Sequence, residues 1–263
     1  MSPLFTLTTD FGSASGYPAQ VKAVLLSAIP DARIVDVTHD APAYDVQAAA
    51  LILEAALPWF PREAIHLAVV DPGVGTPRRG LVVTDPEGRR LVGPDNGLLS
   101  PFLGHGARAR ALAEHGGVLQ VPRRATFHGR DLFAPAAVYL ARGGTPGALG
   151  PEVTDPVRLD WSELRREGDA ILGVTLAADP FGNLVTSIRE SDLAGAAVLE
   201  VDVGGRAARF VRTYGDGERG ELLALVGSGG RVEVAVREGS AARELGPGRR
   251  LTVRLVLGRA AAP

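Results

Sequence analysis

The chain has 263 residues, enough for one large domain or two modest ones. Hydrophobic residues make up 46% and charged residues 22%, so a packed core is expected rather than disorder. The net charge is -2 with acids and bases interspersed, which argues against nucleic acid as the main partner, and the lack of cysteine excludes disulfides, thiolate catalysis and cysteine-ligated metals. The opening MSPLFTLTTDFG has no basic segment followed by an apolar run, and no uncharged apolar stretch approaches the ~18 residues of a membrane span. No secretory signal and no membrane association are therefore expected, and the cytoplasm is the default location.

In chain order, Leu4–Thr8 reads as a buried strand ending at Thr9-Asp10-Phe11-Gly12. A helix follows from Pro18 to Ala28, with proline in the first turn and Val21, Val24, Leu25 and Ala28 on one face. Ala32–Val37 is a second strand, and Asp45 reads as the N-cap of a helix reaching about Ala56. Ile65–Val70 is almost wholly apolar, as a strand covered on both faces should be. Gly80–Thr84 and Arg90–Val92 flank a Pro-Glu-Gly turn as a hairpin, and Leu132–Ala141 is another helix. This alternation predicts an α/β domain with a mainly parallel sheet, to about residue 160. Arg142–Asp169, rich in Gly, Pro and charge, reads as a linker. From about residue 170 the character changes. Ile171–Ala177, Leu184–Ile188, Val198–Val203, Leu222–Val226, Val232–Val236 and Leu251–Leu257 are short and Val/Leu-rich between Gly-rich turns, the pattern of an all-β barrel or sandwich.

Chemistry concentrates at strand ends, where open α/β sheets bind ligands. Asp10, Asp71 and Asp95 each follow a strand; any one alone could be a turn or helix cap, but three in the first hundred residues point to a site. In Asp71-Pro-Gly-Val-Gly-Thr-Pro-Arg78, Gly73 and Gly75 permit unusual backbone and close approach to a ligand, Asp71 can act as base or acceptor, and Arg78 can hold an anion or a polarised water. The loop is neither a Walker loop nor a dinucleotide fingerprint. His128, in Thr126-Phe-His-Gly-Arg-Asp131, sits in a polar glycine-bearing loop just ahead of a helix, a setting for chemistry rather than packing. His39 is a second candidate; His66 alternates into a strand as packing, and His105 and His115 are incidental. No histidines have metal-ligand spacing, and no metal is expected. On turn chemistry alone Asp179-Pro-Phe-Gly-Asn183 reads as a hairpin turn, with a binding loop in which Phe181 stacks and Asn183 hydrogen-bonds as the alternative; Ser228-Gly-Gly-Arg-Val-Glu233 is ambiguous in the same way.

Seven pieces in order, TTDFG at Thr8–Gly12, VDVTHD at Val35–Asp40, VVDPGVGT at Val69–Thr76, GPDNG at Gly93–Gly97, TFHGRD at Thr126–Asp131, DPFGN at Asp179–Asn183 and GSAA at Gly239–Ala242, resemble the S-adenosylmethionine hydroxide adenosyltransferases, relatives of the enzymes that halogenate the same substrate. The resemblance implies an N-terminal α/β domain and a C-terminal β-barrel. It implies a homotrimer with S-adenosylmethionine between the N-domain of one chain and the C-domain of its neighbour. It implies attack of water or hydroxide on ribose C5′, giving adenosine and methionine, with no cofactor. The family's Asp–Arg–His set falls on Asp71, Arg78 (or its neighbour Arg79) and His128. Binding roles fall on Asp10 for the ribose hydroxyls, Tyr44 near the sugar, Phe181 and Asn183 at adenine and Asp179 at the methionine amino group, with Ser228 and Glu233 as further candidates. The chain reads Ser13-Ala-Ser-Gly-Tyr17 where the family often has an Asp before Tyr-Val, so no ligand contact carries over from that loop. The halogenating relatives lack the complete Asp–Arg–His set, which favours hydroxide over halide. Halide transfer and a non-catalytic nucleoside-binding module stand as the alternatives.

Overall fold

The structure is a computed structural model that describes residues 2–113, 119, 124–161, 164–246 and 250–258. His115 lies outside these residues. The chain divides into two compact units, Met1–Leu159 and Asp160–Pro263.

The first unit runs β1 (Leu4–Thr9), α1 (Tyr17–Ala28), β2 (Arg33–Thr38), α2 (Val46–Ala56), β3 (Ile65–Val69), β4 (Gly80–Thr84), β5 (Arg90–Pro94), β6 (Arg108–Ala111), α3 (Ala134–Ala141), α4 (Pro146–Leu149) and β7 (Glu152–Val153). Its sheet has the order β2-β1-β3-β5-β4-β6-β7. β2, β1, β3 and β5 are mutually parallel, β4 and β7 run against them, and β6 rejoins the majority direction, so the sheet is mainly parallel as expected. Alternation along the central strands sends Phe5, Leu7, Ile65 and Leu67 to one face, where Val21 and Leu25 of α1 and the alanines of α3 cover them. Thr6 and His66 sit side by side on the other face, bonded Oγ1 to Nδ1 at 2.8 Å, and His66 is fully buried, so it packs as expected. Asp45 caps α2 by accepting from Ala48 N at 2.9 Å.

Two expectations change. The helix expected from Leu132 is α-helical only from Ala134; Gly129–Phe133 is a single π-turn that feeds it. The stretch expected as a linker holds structure: α4 and β7 lie in it, and β7 extends the sheet beside β6. β6 itself was not anticipated. Its Arg-Ala alternation looks like a solvated loop, yet Ala109 pairs with Val83 and is buried.

The second unit contains β8 (Arg165–Glu167), β9 (Ala170–Ala178), β10 (Leu184–Arg189), α5 (Glu190–Leu193), β11 (Val198–Val203), β12 (Arg206–Phe210), β13 (Leu222–Val226), β14 (Arg231–Val236), α6 (Ala241–Leu245) and β15 (Thr252–Leu257). Pairing runs β10-β14-β13-β12-β11-β15-β9, and β9 then pairs with β10, closing a seven-stranded barrel. β9 is long enough to carry β8 on Ala170–Leu172 and β10 on Thr175–Ala178. Ile171, Leu184, Val201, Val232, Val234 and Val253 fill the interior. Of the sequence alternatives, the structure is the barrel rather than the sandwich. Among the described residues no helix is long and apolar enough to cross a membrane.

Candidate active site

Asp71 begins the loop that leaves β3, and Arg78 closes it. The chain turns sharply between them: Asp71 C=O accepts from Val74 N at 3.2 Å, and Gly73 C=O accepts from Thr76 N at 3.2 Å and from Thr76 Oγ1 at 2.7 Å. Gly75 is in the left-handed region at φ 80°, which explains that glycine. Gly73 does not use that freedom; a side-chain carbon there would lie at ordinary contact distance, 3.4 Å, from Arg78 Cγ.

The turn folds Arg78 back onto Asp71. Arg78 Nε donates to Asp71 Oδ1 at 2.9 Å, Nη2 donates to Oδ2, and Nη2 also donates to His128 Nδ1 at 3.0 Å. The guanidinium lies 5.2 Å from the Phe133 ring centroid, and the His128 ring meets the same phenyl edge-on. The side chains of Asp71 and Arg78 are 6% and 9% exposed, and His128 is 6% exposed, so the fork is shielded from water competition. Arg78 Nη1 is buried with no hydrogen-bond partner among the described residues. Arginine has no acceptor. The Arg78 contact therefore makes His128 Nδ1 the acceptor, and a neutral His128 carries its proton on Nε2.

The adjacent arginine is committed elsewhere. Arg79 Nε donates to Asp95 Oδ2 at 2.7 Å, and its Nη1 donates to Asp155 Oδ1 at 2.9 Å. Asp95 Oδ1 also accepts from Val157 N at 2.8 Å. Of the three strand-end acids, Asp95 thus fastens the segment after β7 to the sheet, and only Asp10 and Asp71 open on the cleft.

That cleft, of about 250 Å³, is lined by Asp10, Tyr44, Asp71 and His128 with Phe11 and Phe127. Asp10 Oδ2 accepts from Tyr44 N at 3.0 Å. Tyr44 takes a positive φ of 63°, costly for a bulky residue, and is 75% exposed. The π-turn Gly129–Phe133 starts directly after His128; such turns shift a helix register and re-aim the side chains at its head.

In the second unit, Asp179, Asn183 and Glu233 come together through a residue that sequence reasoning missed, Tyr214. Asp179 Oδ1 accepts from Phe181 N at 2.9 Å and Asn183 N at 2.8 Å, while Oδ2 accepts from Asn183 Nδ2 at 2.8 Å. One lone pair of Oδ2 is left for a ligand. Tyr214 O–H donates to Glu233 Oε1 and stands 3.5 Å from Asn183 Nδ2. Burial pushes the Glu233 carboxyl up, the Tyr214 hydrogen bond works against that, and the Asp179 charge adds to it. Gly182, at φ 86°, lets the Asp179 loop lie on Ser240: a side-chain carbon there would meet Ser240 Oγ at 2.0 Å. Gly182 C=O accepts from Ala242 N at 2.9 Å, which joins the DPFGN and GSAA segments. Phe181 is 80% exposed at the loop tip. Ser228 is exposed in the β13–β14 turn, next to Gly227, whose backbone borders the Glu233 carboxylate so closely that a side-chain carbon there would lie 2.2 Å from Glu233 Oε2.

An α/β unit that gathers an acid, a guanidinium and an imidazole beside a cleft, followed by a β-barrel unit with a polar loop cluster, defines the class of this two-unit protein. The chain belongs to the SAM hydroxide adenosyltransferase family: the family's N-terminal domain matches residues 5–150 and its C-terminal domain residues 173–254. It is similar to the (R)-S-adenosyl-L-methionine hydrolase of Thermus thermophilus, 42% identical over 97% of this chain and 100% of that protein. The hydrolase of the same name from Salinispora tropica is 43% identical over 96% and 98%. A fluorinase from Actinopolyspora mzabensis is more distant, 26% identical over 89% of this chain and 90% of its own. A solved structure of an uncharacterized conserved protein from Thermotoga maritima shares the fold with a TM-score of 0.84 at 31% identity, covering 96% of this chain and 99% of that one.

Proposed function

We propose that the protein hydrolyses S-adenosyl-L-methionine to adenosine and L-methionine, with water attacking ribose C5′. The observation that carries this reading is the buried Asp71–Arg78–His128 constellation opening on a cleft beside Asp10. The high identity to proteins named as hydrolases, against the lower identity to fluorinases, supports hydroxide over halide.

The chemistry balances with substrate and water alone. The water oxygen bonds to C5′, the C5′–S bond breaks, and its electron pair passes to sulfur. The sulfonium leaves as the neutral thioether of methionine and needs no general acid. A base must take the water's proton. With Nδ1 held by Arg78 and Nε2 protonated, His128 is a donor in this arrangement, so the proton falls to Asp71. The Arg78 fork uses one lone pair on each Asp71 oxygen and leaves others for the water. Arg78 and His128 stabilise developing hydroxide in line with the C5′–S bond.

In this reading Asp10 holds the ribose hydroxyls with Tyr44 over the sugar. Phe181 and Asn183 recognise adenine, Asp179 Oδ2 faces the methionine amino group, and Ser228 and Glu233 supply further contacts. Substrate sits between the N-terminal unit of one chain and the C-terminal unit of a neighbour in a homotrimer; sedimentation showing an active monomer would contradict that arrangement. Asp71→Ala and His128→Ala are each expected to cut adenosine formation by about 10² or more. Full activity in both would show that the site is misplaced, and 5′-halo-adenosine made in excess chloride or fluoride would overturn hydrolysis.

A further inference from the structure

The turn that carries Asp10 is held by the loop after β2. His39 C=O accepts from Gly12 N at 2.7 Å, and Thr9 C=O accepts from Ala41 N at 3.2 Å. Asp40 Oδ1 accepts from Ser13 N at 2.8 Å and its Oδ2 from the Ser13 hydroxyl. Under these backbone contacts runs a chain of side chains. Thr9 Oγ1 is 2.8 Å from His39 Nδ1, His39 Nε2 lies at ion-pair distance, 3.0 Å, from Asp36 Oδ1 without hydrogen-bond alignment, and Lys22 Nζ is 2.5 Å from Asp36 Oδ2. Thr9 and His39 are 2% and 6% exposed.

The chain has a direction. Burial works against the charge on Asp36, but the Lys22 hydrogen bond, backed by the nearby His39 side chain and the Lys22 charge, holds its carboxyl below the usual range. An ionised Asp36 can only accept, so His39 turns an N–H on Nε2 towards it, and in the neutral ring Nδ1 then accepts from the Thr9 hydroxyl. That aims the Thr9 oxygen's lone pairs at the backbone, where it accepts from Phe11 N at 3.3 Å. A hydroxyl bonded two residues on fixes the peptide units around the intervening residue, here Asp10.

We propose that His39 is a positioning residue for Asp10: oriented by Asp36, it sets the Thr9 hydroxyl that fixes the Asp10–Phe11 backbone, presenting the ribose-binding carboxylate already in place. This rests on the reading of Asp10 as the ribose carboxylate. A preset carboxylate spares the ordering cost on binding.

Adenosine binding by calorimetry tests it without relying on turnover. Thr9→Val and His39→Leu are expected to weaken adenosine about fivefold, the worth of one net hydrogen bond, and Thr9→Ser to bind within about twofold of wild type. Thr9→Val added to Asp10→Ala is expected to cause no further loss, because both act through one group. In turnover, KM for S-adenosylmethionine rises by the same factor while kcat stays within about twofold, since the Asp71 fork is untouched. Should Thr9→Val not fold, His39→Asn, which keeps an acceptor near the Nδ1 position, compared with His39→Leu gives the same contrast. Wild-type binding by Thr9→Val and His39→Leu, or independent multiplying losses with Asp10→Ala, overturns the positioning role while leaving the ribose reading intact. Wild-type binding by Asp10→Ala alone overturns the ribose reading and this proposal with it.

Discussion

Arg78→Lys separates the charge of the central arginine from its shape. The guanidinium makes two hydrogen bonds to Asp71 and one to His128 Nδ1, and stacks on Phe133. A lysine keeps the positive charge near Asp71, but one ammonium on a flexible stem cannot span both carboxylate oxygens and the imidazole. Hydrogen bonds between charged groups are worth ~1.5–3 kcal/mol each, and the substitution forfeits at least one and misaligns a second. A loss of about 3 kcal/mol in the transition state is a rate drop of about 10². Folding should suffer much less, because the buried Asp71 keeps a cation. Arg78→Met, by contrast, leaves that carboxylate unpaired at 6% exposure and should cost ~3–5 kcal/mol of stability. Adenosine release at saturating substrate, followed by chromatography, gives kcat, and thermal melts check folding. Arg79→Lys serves as the control, since Arg79 bonds Asp95 and Asp155 instead. A folded Arg78→Lys protein working within threefold of wild type would refute the reasoning.

Other predictions follow from burial and titration. His66 is fully buried, and burial lowers its pKa to about 4, with Arg89 adding to the effect. Above pH 6.5 both folded and unfolded states hold it neutral; as pH falls towards 4 only the unfolded chain gains the proton, so roughly 3 kcal/mol of stability drains away. Urea denaturation at pH 7.0 and 4.5 should show this loss in wild type and a distinctly smaller one in His66→Gln; equal losses would refute the assignment. Tyr214→Phe removes the hydrogen bond that opposes the upward shift of Glu233, so the folded pKa rises further. A raised carboxyl loses stability as pH rises through its folded pKa, so the variant's melting deficit should be larger at pH 8 than at pH 5. Gly182→Ala meets both a left-handed backbone and Ser240 Oγ, and should lower stability by more than ~1 kcal/mol while weakening adenosine binding.

Much of the first half of the fold was legible because its inner strands are short buried runs ending in acids: β1 and β3 lie where the hydrophobic pattern put them, and Asp10 and Asp71 follow their carboxyl ends. β6 and β12 were not legible. Arg-Ala-Arg-Ala and Arg-Ala-Ala-Arg-Phe look solvated, and only their pairing with buried neighbours makes them strands. The π-turn after His128 leaves no trace in composition. Arg78 and Arg79 are chemically equal in sequence. What distinguishes them is a carboxylate 76 positions away, Asp155, which holds Arg79 outward. Tyr214 hid in a Thr-Tyr-Gly-Asp turn, and its role emerges only where the barrel brings it against Glu233 and Asn183.

The central claim is that water, activated beside Asp71, ends up on the ribose. Turnover of S-adenosylmethionine in oxygen-18 water measures this directly. The account predicts one heavy oxygen in the 5′-hydroxyl of the adenosine formed, with signal lost in Asp71→Asn. Adenosine carrying no label, or label incorporated undiminished by Asp71→Asn, would contradict it.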